Sequence, residues 1–223
     1  MKKRLNKKCV VLLSGGLDSS TTLFYVKKKG FRPQCLIFDY GQRHRKEINS
    51  AKKIASYLKV KYYIVKIQLP WKGSSLLDKN LSLPVKKIKN VIPSTYVPAR
   101  NLIFLSFAVS FAETINARYV FYGANQIDFS GYPDCREEFI NKLQETIDVG
   151  IKSSIKGEKI IIKAPLLKLS KEQIIKLALK LKVPLNLTWS CYKGDKKPCG
   201  VCDSCRIRAE GFKKADVEDP LLK

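Results

Sequence analysis

The chain has 223 residues, with 43 Lys and Arg against 19 Asp and Glu, which gives a formal net charge of +24. Its 45% hydrophobic and 10% aromatic content excludes a disordered basic tail. No apolar run reaches the ~18–20 residues that span a bilayer, and the apolar stretch after the basic N-terminus, residues 9–13, is too short for a signal peptide. A cytoplasmic protein without a membrane partner is expected. The charge itself has two readings. Neutralising phosphates with Lys and Arg is how proteins hold nucleic acid, but 34 of the 43 basic residues are Lys, dispersed along the chain as a Lys-, Ile- and Asn-rich composition bias would leave them.

Apolar runs alternate with helical patterns, the arrangement that builds a parallel sheet covered by helices on both faces. Residues 9–13 read as a short strand ending at Ser14-Gly15-Gly16, and 18–29 as an amphipathic helix stopped by Gly30. A second strand, 34–38, ends at Asp39-Tyr40-Gly41; a basic helix follows over about 43–58, and 60–67 alternates as a third strand. The pattern breaks from 69 to 98, with four Pro and a cluster of Lys86, Lys87 and Lys89, and reads as a lid or loop. Next come an apolar helix over 100–116, a strand over 119–122, a loop, a helix over 134–150 and a fifth strand over 159–164. Ser170 and Gln173 open the last regular helix with a capping-box pattern. Near Trp189 the composition shifts to Cys, Gly and Lys. The expectation is an α/β doubly wound parallel sheet of about five strands in residues 1–188, with a small helical zinc-binding appendage in 189–223.

The first strand and helix are joined by Leu13-Ser14-Gly15-Gly16-Leu17-Asp18-Ser19-Ser20, at the place where open α/β sheets bind ligands. Adjacent glycines allow close approach of an anion, and the helix amides with Ser19 and Ser20 can donate to phosphate oxygens. The spacing is neither that of a Walker A loop nor G-x-G-x-x-G. Ser14 to Ser19 match S-G-G-x-D-S, and here the chain resembles the PP-loop ATP pyrophosphatases. The resemblance implies that Leu13, Ser14, Gly15, Gly16, Leu17, Asp18, Ser19, Ser20, Thr21, Thr22 and Phe38 bind ATP, that Mg²⁺ assists, and that AMP is left on the substrate as pyrophosphate departs.

Three more blocks should gather at the carboxyl ends of the strands: Phe38-Asp39-Tyr40-Gly41-Gln42-Arg43-His44-Arg45, Pro98-Ala99-Arg100-Asn101, and Asp128-Phe129-Ser130-Gly131-Tyr132-Pro133-Asp134-Cys135-Arg136. Singly they can be a helix start, a turn with an N-cap, and a surface histidine. Together, beside the loop, they resemble the 7-cyano-7-deazaguanine synthases of the QueC family over nearly the whole chain. That likeness implies conversion of 7-carboxy-7-deazaguanine and ammonia to the nitrile preQ0, through an adenylated acid and an adenylated amide, with two ATP cleaved to AMP and pyrophosphate. A homodimer is expected from the relatives, and no nucleic-acid partner. Within this frame Arg100 can offer a bidentate fork to a carboxylate or the α-phosphate. Asp128 and Asp134 can take Mg²⁺ or guanine-type N–H donors, Tyr40 or Tyr132 can stack on a flat base, and Asp18 can help hold Mg²⁺. Asp18, Arg100 and Asp128 are the catalytic candidates; Tyr40, Gln42, Arg43, Arg100, Asn101, Asp128, Tyr132 and Asp134 are the substrate contacts.

Cys191, Cys199, Cys202 and Cys205 are spaced C-x7-C-x2-C-x2-C among Gly194, Pro198 and Gly200, which suits a closed tetrahedral site for structural Zn²⁺. Disulfides and an iron–sulfur cluster are the alternatives, and the C-terminal zinc cysteines of the QueC family favour zinc. Cys9 and Cys35 read as core residues; Cys135 stays open. Two other functions compete: a PP-loop tRNA sulfurtransferase, and a basic zinc-containing RNA-binding module that leaves Ser14 to Ser19 unexplained.

Overall fold

The computed structural model describes residues 7–71, 73–78, 80–84, 92–125 and 132–222. Five strands, β1 (Lys8–Leu12), β2 (Arg32–Asp39), β3 (Tyr62–Lys66), β4 (Tyr119–Phe121) and β5 (Ile161–Lys163), pair in parallel in the order β3-β2-β1-β4-β5. The order reverses between β1 and β4, so the crevice outside their carboxyl ends is the natural ligand site of the sheet. The helices are α1 (Leu17–Lys28), α2 (Lys46–Tyr57), α3 (Arg100–Thr114), α4 (Glu137–Gly150), the short α5 (Lys152–Ile155), α6 (Lys171–Lys180) and α7 (Asp203–Lys214). None of them is long and apolar enough to cross a membrane.

Because successive side chains in a strand point to opposite faces, the unbroken apolar run of β1 feeds two cores. Cys9, Val11 and Leu13 join Leu23 of α1, Ile54 of α2, Ile174 of α6 and Phe212 of α7. Val10 joins Leu36 and Phe38 of β2 and Leu105 and Ala108 of α3 on the other face. Cys9 and Cys35 are fully buried, and burial pushes the Cys9 thiol up to about 12, as expected of inert core residues.

One expected element boundary and one expected order are corrected. The helix expected from Asp134 begins instead at Glu137, after a 3₁₀ turn over Pro133–Cys135. The reason is that Asp134 turns its carboxylate away to α3, where its oxygens accept from Asn101 N at 3.0 Å and Asn101 Nδ2 at 3.3 Å. The helix opened by Ser170 has its capping box, with Gln173 N donating to Ser170 Oγ, but it is not the last. α7 follows within the cysteine-rich segment and packs on α6, burying Phe212 and Ala215 in the main core.

Candidate functional site

The loop after β1 makes its turn at Gly15, which has φ +79°. A Cβ there would lie 2.4 Å from Glu47 O and from Ala51 N, so the loop is seated directly on the first turns of α2. Ser14 and Ser19 close the loop on itself through an Oγ···Oγ contact of 3.0 Å, with Ser14 N donating to Ser19 Oγ at 3.2 Å. Gly16 is the N-cap of α1 and supplies no side-chain cap, which leaves the first-turn amides as donors for an anion. Gly123, just beyond β4, approaches so closely that a Cβ there would lie 3.0 Å from Ser19 N.

A cavity of about 290 Å³ opens here. Leu13, Ser14, Gly16, Leu17, Asp18 and Ser19 line it from the loop, and Phe38, Tyr40, Gln42, Arg100, Asn101 and Tyr132 from the other blocks. The tertiary structure thus gathers three blocks lying far apart in sequence. Ser20, Thr21 and Thr22 turn into the core, where all three are buried and the Thr21 hydroxyl donates to Leu17 O at 2.7 Å.

Several side chains hold their neighbours rather than the cavity. Gln42 accepts from Tyr40 N at 2.9 Å and donates to Phe38 O at 3.1 Å, locking the turn after β2. Phe38 lies flat on Phe104 of α3, with centroids 3.9 Å apart. Arg43 donates to Asp78 O at 2.8 Å and also to Leu81 O, which ties down part of the 69–98 segment whose Leu76 lines the cavity. Residues 85–91 of that segment, and Asp128, lie outside the described residues. Asp134 is spent on the start of α3, and Asn101 Nδ2 also reaches Cys135 Sγ at 3.2 Å; Cys135 is buried at the cavity wall.

Arg100 opens α3 from an N-cap, Ala99, at φ 54°. Burial works against its cation, but Tyr40, Tyr132 and Asp134 outweigh that and raise its pKa; the Tyr40 hydroxyl is hydrogen-bonded to it. Tyr132 Oη pairs with Thr95 Oγ1 at 2.8 Å.

Three charged residues that line the cavity have no counterpart among the sequence candidates: Lys171, Glu47 and Arg208, the last held by Asp219. Lys171 lines the cavity and donates to both carboxylate oxygens of Asp18 at 2.8 Å, while Asn125 Nδ2 reaches Asp18 Oδ2 at 3.2 Å. A signal was available: a Lys at the first position of a helix opposes the helix dipole, so it needs a reason. Glu47, in the first turn of α2, lines the cavity as well, and burial pushes its carboxyl up to about 7 against the opposing pull of Arg100.

The cysteine-rich segment supplies the remaining wall through Trp189, Ser190, Tyr192, Ser204, Ile207 and Arg208. Trp189 N donates to Gly15 O at 2.9 Å, its indole donates to Cys191 O at 2.8 Å, and His44 Nε2 meets the same carbonyl at 2.9 Å. His44 is therefore a half-buried strut between the second block and the cysteines. The thiols of Cys191, Cys199, Cys202 and Cys205 all lie within 4.8 Å of one another. A tetrahedral site with Zn–S bonds of ~2.3 Å needs sulfurs ~3.8 Å apart, so this four-cysteine cluster can hold a metal such as zinc after a small contraction.

Comparison with known proteins agrees with this geometry. The family model described as "Queuosine biosynthesis protein QueC" matches residues 8–216. A 7-cyano-7-deazaguanine synthase of Thermoplasma volcanium is 51% identical, covering 96% of this chain and 90% of that protein. One of Acetivibrio thermocellus is also 51% identical, over 96% and 97%. Among solved structures, the NMN synthetase of Francisella tularensis is similar at a TM-score of 0.52 and 15% identity, covering 96% of this chain and 89% of its own. The U34-tRNA thiolase NcsA of Methanococcus maripaludis, with its [4Fe-4S] cluster, is similar at 0.50 and 18%, covering 95% and 66%. At those identities the two structures speak for the shared fold.

Proposed function

The chain belongs to the QueC family of queuosine biosynthesis proteins, and from that premise we propose how its cavity performs the family's reaction. It is an enzyme, and its function is the formation of 7-cyano-7-deazaguanine, preQ0. The proposed chemistry is that of an ATP-dependent ligase: 7-carboxy-7-deazaguanine is adenylated and ammonia gives the amide, then the amide oxygen is adenylated and AMP leaves as the nitrile forms. The observation that carries this reading is a single cavity lined both by Ser14, Gly16, Asp18 and Ser19 and by Arg100, Tyr40 and Tyr132. A triphosphate on the first set and a flat acid on the second would meet in one place, which is most of what adenylation requires.

In this reading the amides at the start of α1 and the hydroxyls of Ser14 and Ser19 take the departing pyrophosphate. Lys171 brings a fixed cation beside them, and Arg100, held by Tyr40, forks onto the carboxylate or the α-phosphate. Asp18 is the loop's oxygen donor for Mg²⁺, which when bound withdraws charge from the phosphate oxygens. Tyr132, steadied by Thr95, would stack on the deazapurine. Asp134 and Arg43 are assigned support of α3 and of the 73–84 loop instead of substrate contact. The four cysteines would hold a structural Zn²⁺ that fixes Trp189 against Gly15.

The test is incubation of the protein with ATP, Mg²⁺, ammonium and 7-carboxy-7-deazaguanine in the absence of tRNA. The expected result is preQ0 by mass with two AMP per nitrile. Absence of turnover there, together with turnover on tRNA, would overturn it in favour of a sulfurtransferase.

A further inference from the structure

Both steps after adenylation release protons from nitrogen, and the cavity holds few groups able to accept one. Two carboxylates line it among the described residues, Asp18 and Glu47. Asp18 is occupied by both contacts from Lys171 and by Asn125. The carboxylate of Glu47 has no hydrogen bond among the described residues and interacts through charge with Arg100, whose guanidinium is bonded to the Tyr40 hydroxyl. Its backbone is the seat of the phosphate loop, since a Cβ on Gly15 would lie 2.4 Å from Glu47 O. A partly exposed, unbonded carboxylate is thereby carried on the cavity wall by the turn that seats the loop, within electrostatic reach of Arg100.

We propose, building on the reaction described above, that Glu47 is the proton acceptor in both carbon–nitrogen steps. In the first, ammonia attacks the acyl carbon of the acyl adenylate; the C–N bond forms, the C–O bond to the phosphate breaks with its electron pair on AMP, and one nitrogen proton passes to Glu47. The carboxyl group returns that proton to water before the second ATP reacts. In the second step the O-adenylated imidate, bearing two N–H protons, loses one to Glu47 and one to the departing AMP phosphate as the C–O bond breaks and the third C–N bond forms. Burial pushes the carboxyl of Glu47 up to about 7, which matches a base to neutral conditions, and the nearby Arg100 keeps the ionised form accessible.

The experiment compares wild type with Glu47→Gln and Glu47→Asp, following acid-dependent ATP–pyrophosphate exchange, amide and preQ0 formation from ammonium, and trapping by hydroxylamine. The adduct of hydroxylamine carries a far more acidic N–H than that of ammonia and loses its proton to water without a catalytic base. Glu47→Gln should keep exchange within about threefold of wild type yet lose roughly 10²–10⁴-fold in amide and preQ0 formation, while still giving the hydroxamic acid. Glu47→Asp should recover part of the loss. PreQ0 at the wild-type rate from Glu47→Gln would overturn the proposal, as would a loss of exchange equal to the loss of preQ0, which would mark a binding or folding role. If wild type itself fails to convert 7-carboxy-7-deazaguanine, it is the reaction assignment that falls, and this proposal with it.

Discussion

Lys171 and Asp18, which are 153 positions apart, are joined at 2.8 Å through both carboxylate oxygens at the mouth of the phosphate loop. The stem of Lys171 lies against Gly211 of α7, where an added Cβ would come within 2.5 Å of Lys171 Cγ. A helix from the cysteine-rich segment thus aims a lysine of α6 at an aspartate of α1. In the proposed reaction, bound phosphates would offer the Lys171 ammonium group a second anion, and Asp18 would then be free to help hold Mg²⁺.

Lys171→Met should therefore lower acid-dependent ATP–pyrophosphate exchange by about 10²–10³-fold, the range seen when one fixed charge stabiliser of a reaction is removed. Lys171→Arg should restore a fraction of it. Exchange at the wild-type rate in Lys171→Met would show that the lysine only pairs with Asp18.

Glu47 should leave a signature in the pH dependence of stability. Its carboxyl, ordinarily at 4.5, sits at about 7 in the folded chain, so between those values the folded state binds the proton more tightly than the unfolded state does. The contribution of this group to stability is thus fully present below pH 4.5, falls as pH rises to about 7, and is flat above. The groups facing it are Arg100, whose cation persists throughout, and the Tyr40 phenol, neutral throughout, while the Asp18–Lys171 pair lines the same cavity. Urea unfolding of wild type and Glu47→Gln across this window should show the variant gaining relative stability with rising pH. A pH-independent difference would contradict the raised carboxyl.

Arg208 donates from Nε and Nη2 to Asp219 at 2.6 and 2.9 Å and from Nη1 to Thr188 Oγ1 at 2.8 Å, with both members of the pair buried. Arg208→Ala leaves Asp219 as a buried unpaired charge and should cost about 3–5 kcal/mol in urea unfolding. Asp219→Asn should cost less, because the amide oxygen still accepts. A cost below 1 kcal/mol for Arg208→Ala, as is usual for surface pairs, would show the pair to be solvated in solution.

Metal analysis of the purified protein should give about one zinc per chain, as a closed four-thiolate site requires. Removing it with a strong chelator, or replacing Cys202 by Ser, should release Trp189 from Cys191 O and Gly15 O. In a Trp71→Phe background, Trp189 fluorescence should shift to the red and exchange activity should fall with it. Iron with acid-labile sulfide would replace zinc by a cluster.

The sheet was legible because β1 and β2 are buried on both faces and so read as unbroken apolar runs, and because Ser170 and Gln173 cap α6 through contacts local in sequence. The appendage was expected to be helical, but the span of α7 was not legible, because its first turn, Asp203-Ser204-Cys205, carries one of the four clustered cysteines and masks the helical period. The start of α4 was misplaced because Asp134, a good N-cap by type, is drawn to Asn101.

By itself the sequence determined the alternating layers, the loop over Ser14 to Ser19, the blocks around Tyr40 and Arg100, and the four cysteines, since each is encoded by residues adjacent or regularly spaced along the chain. Only the tertiary structure decided which groups meet: Lys171 with Asp18, Glu47 beside Arg100, and the Trp189 amide on the Gly15 carbonyl. Those pairings depend on helices packed across the sheet and on the cysteine-rich segment folding back over the loop, and no local pattern reports a contact between residues more than 50 positions apart.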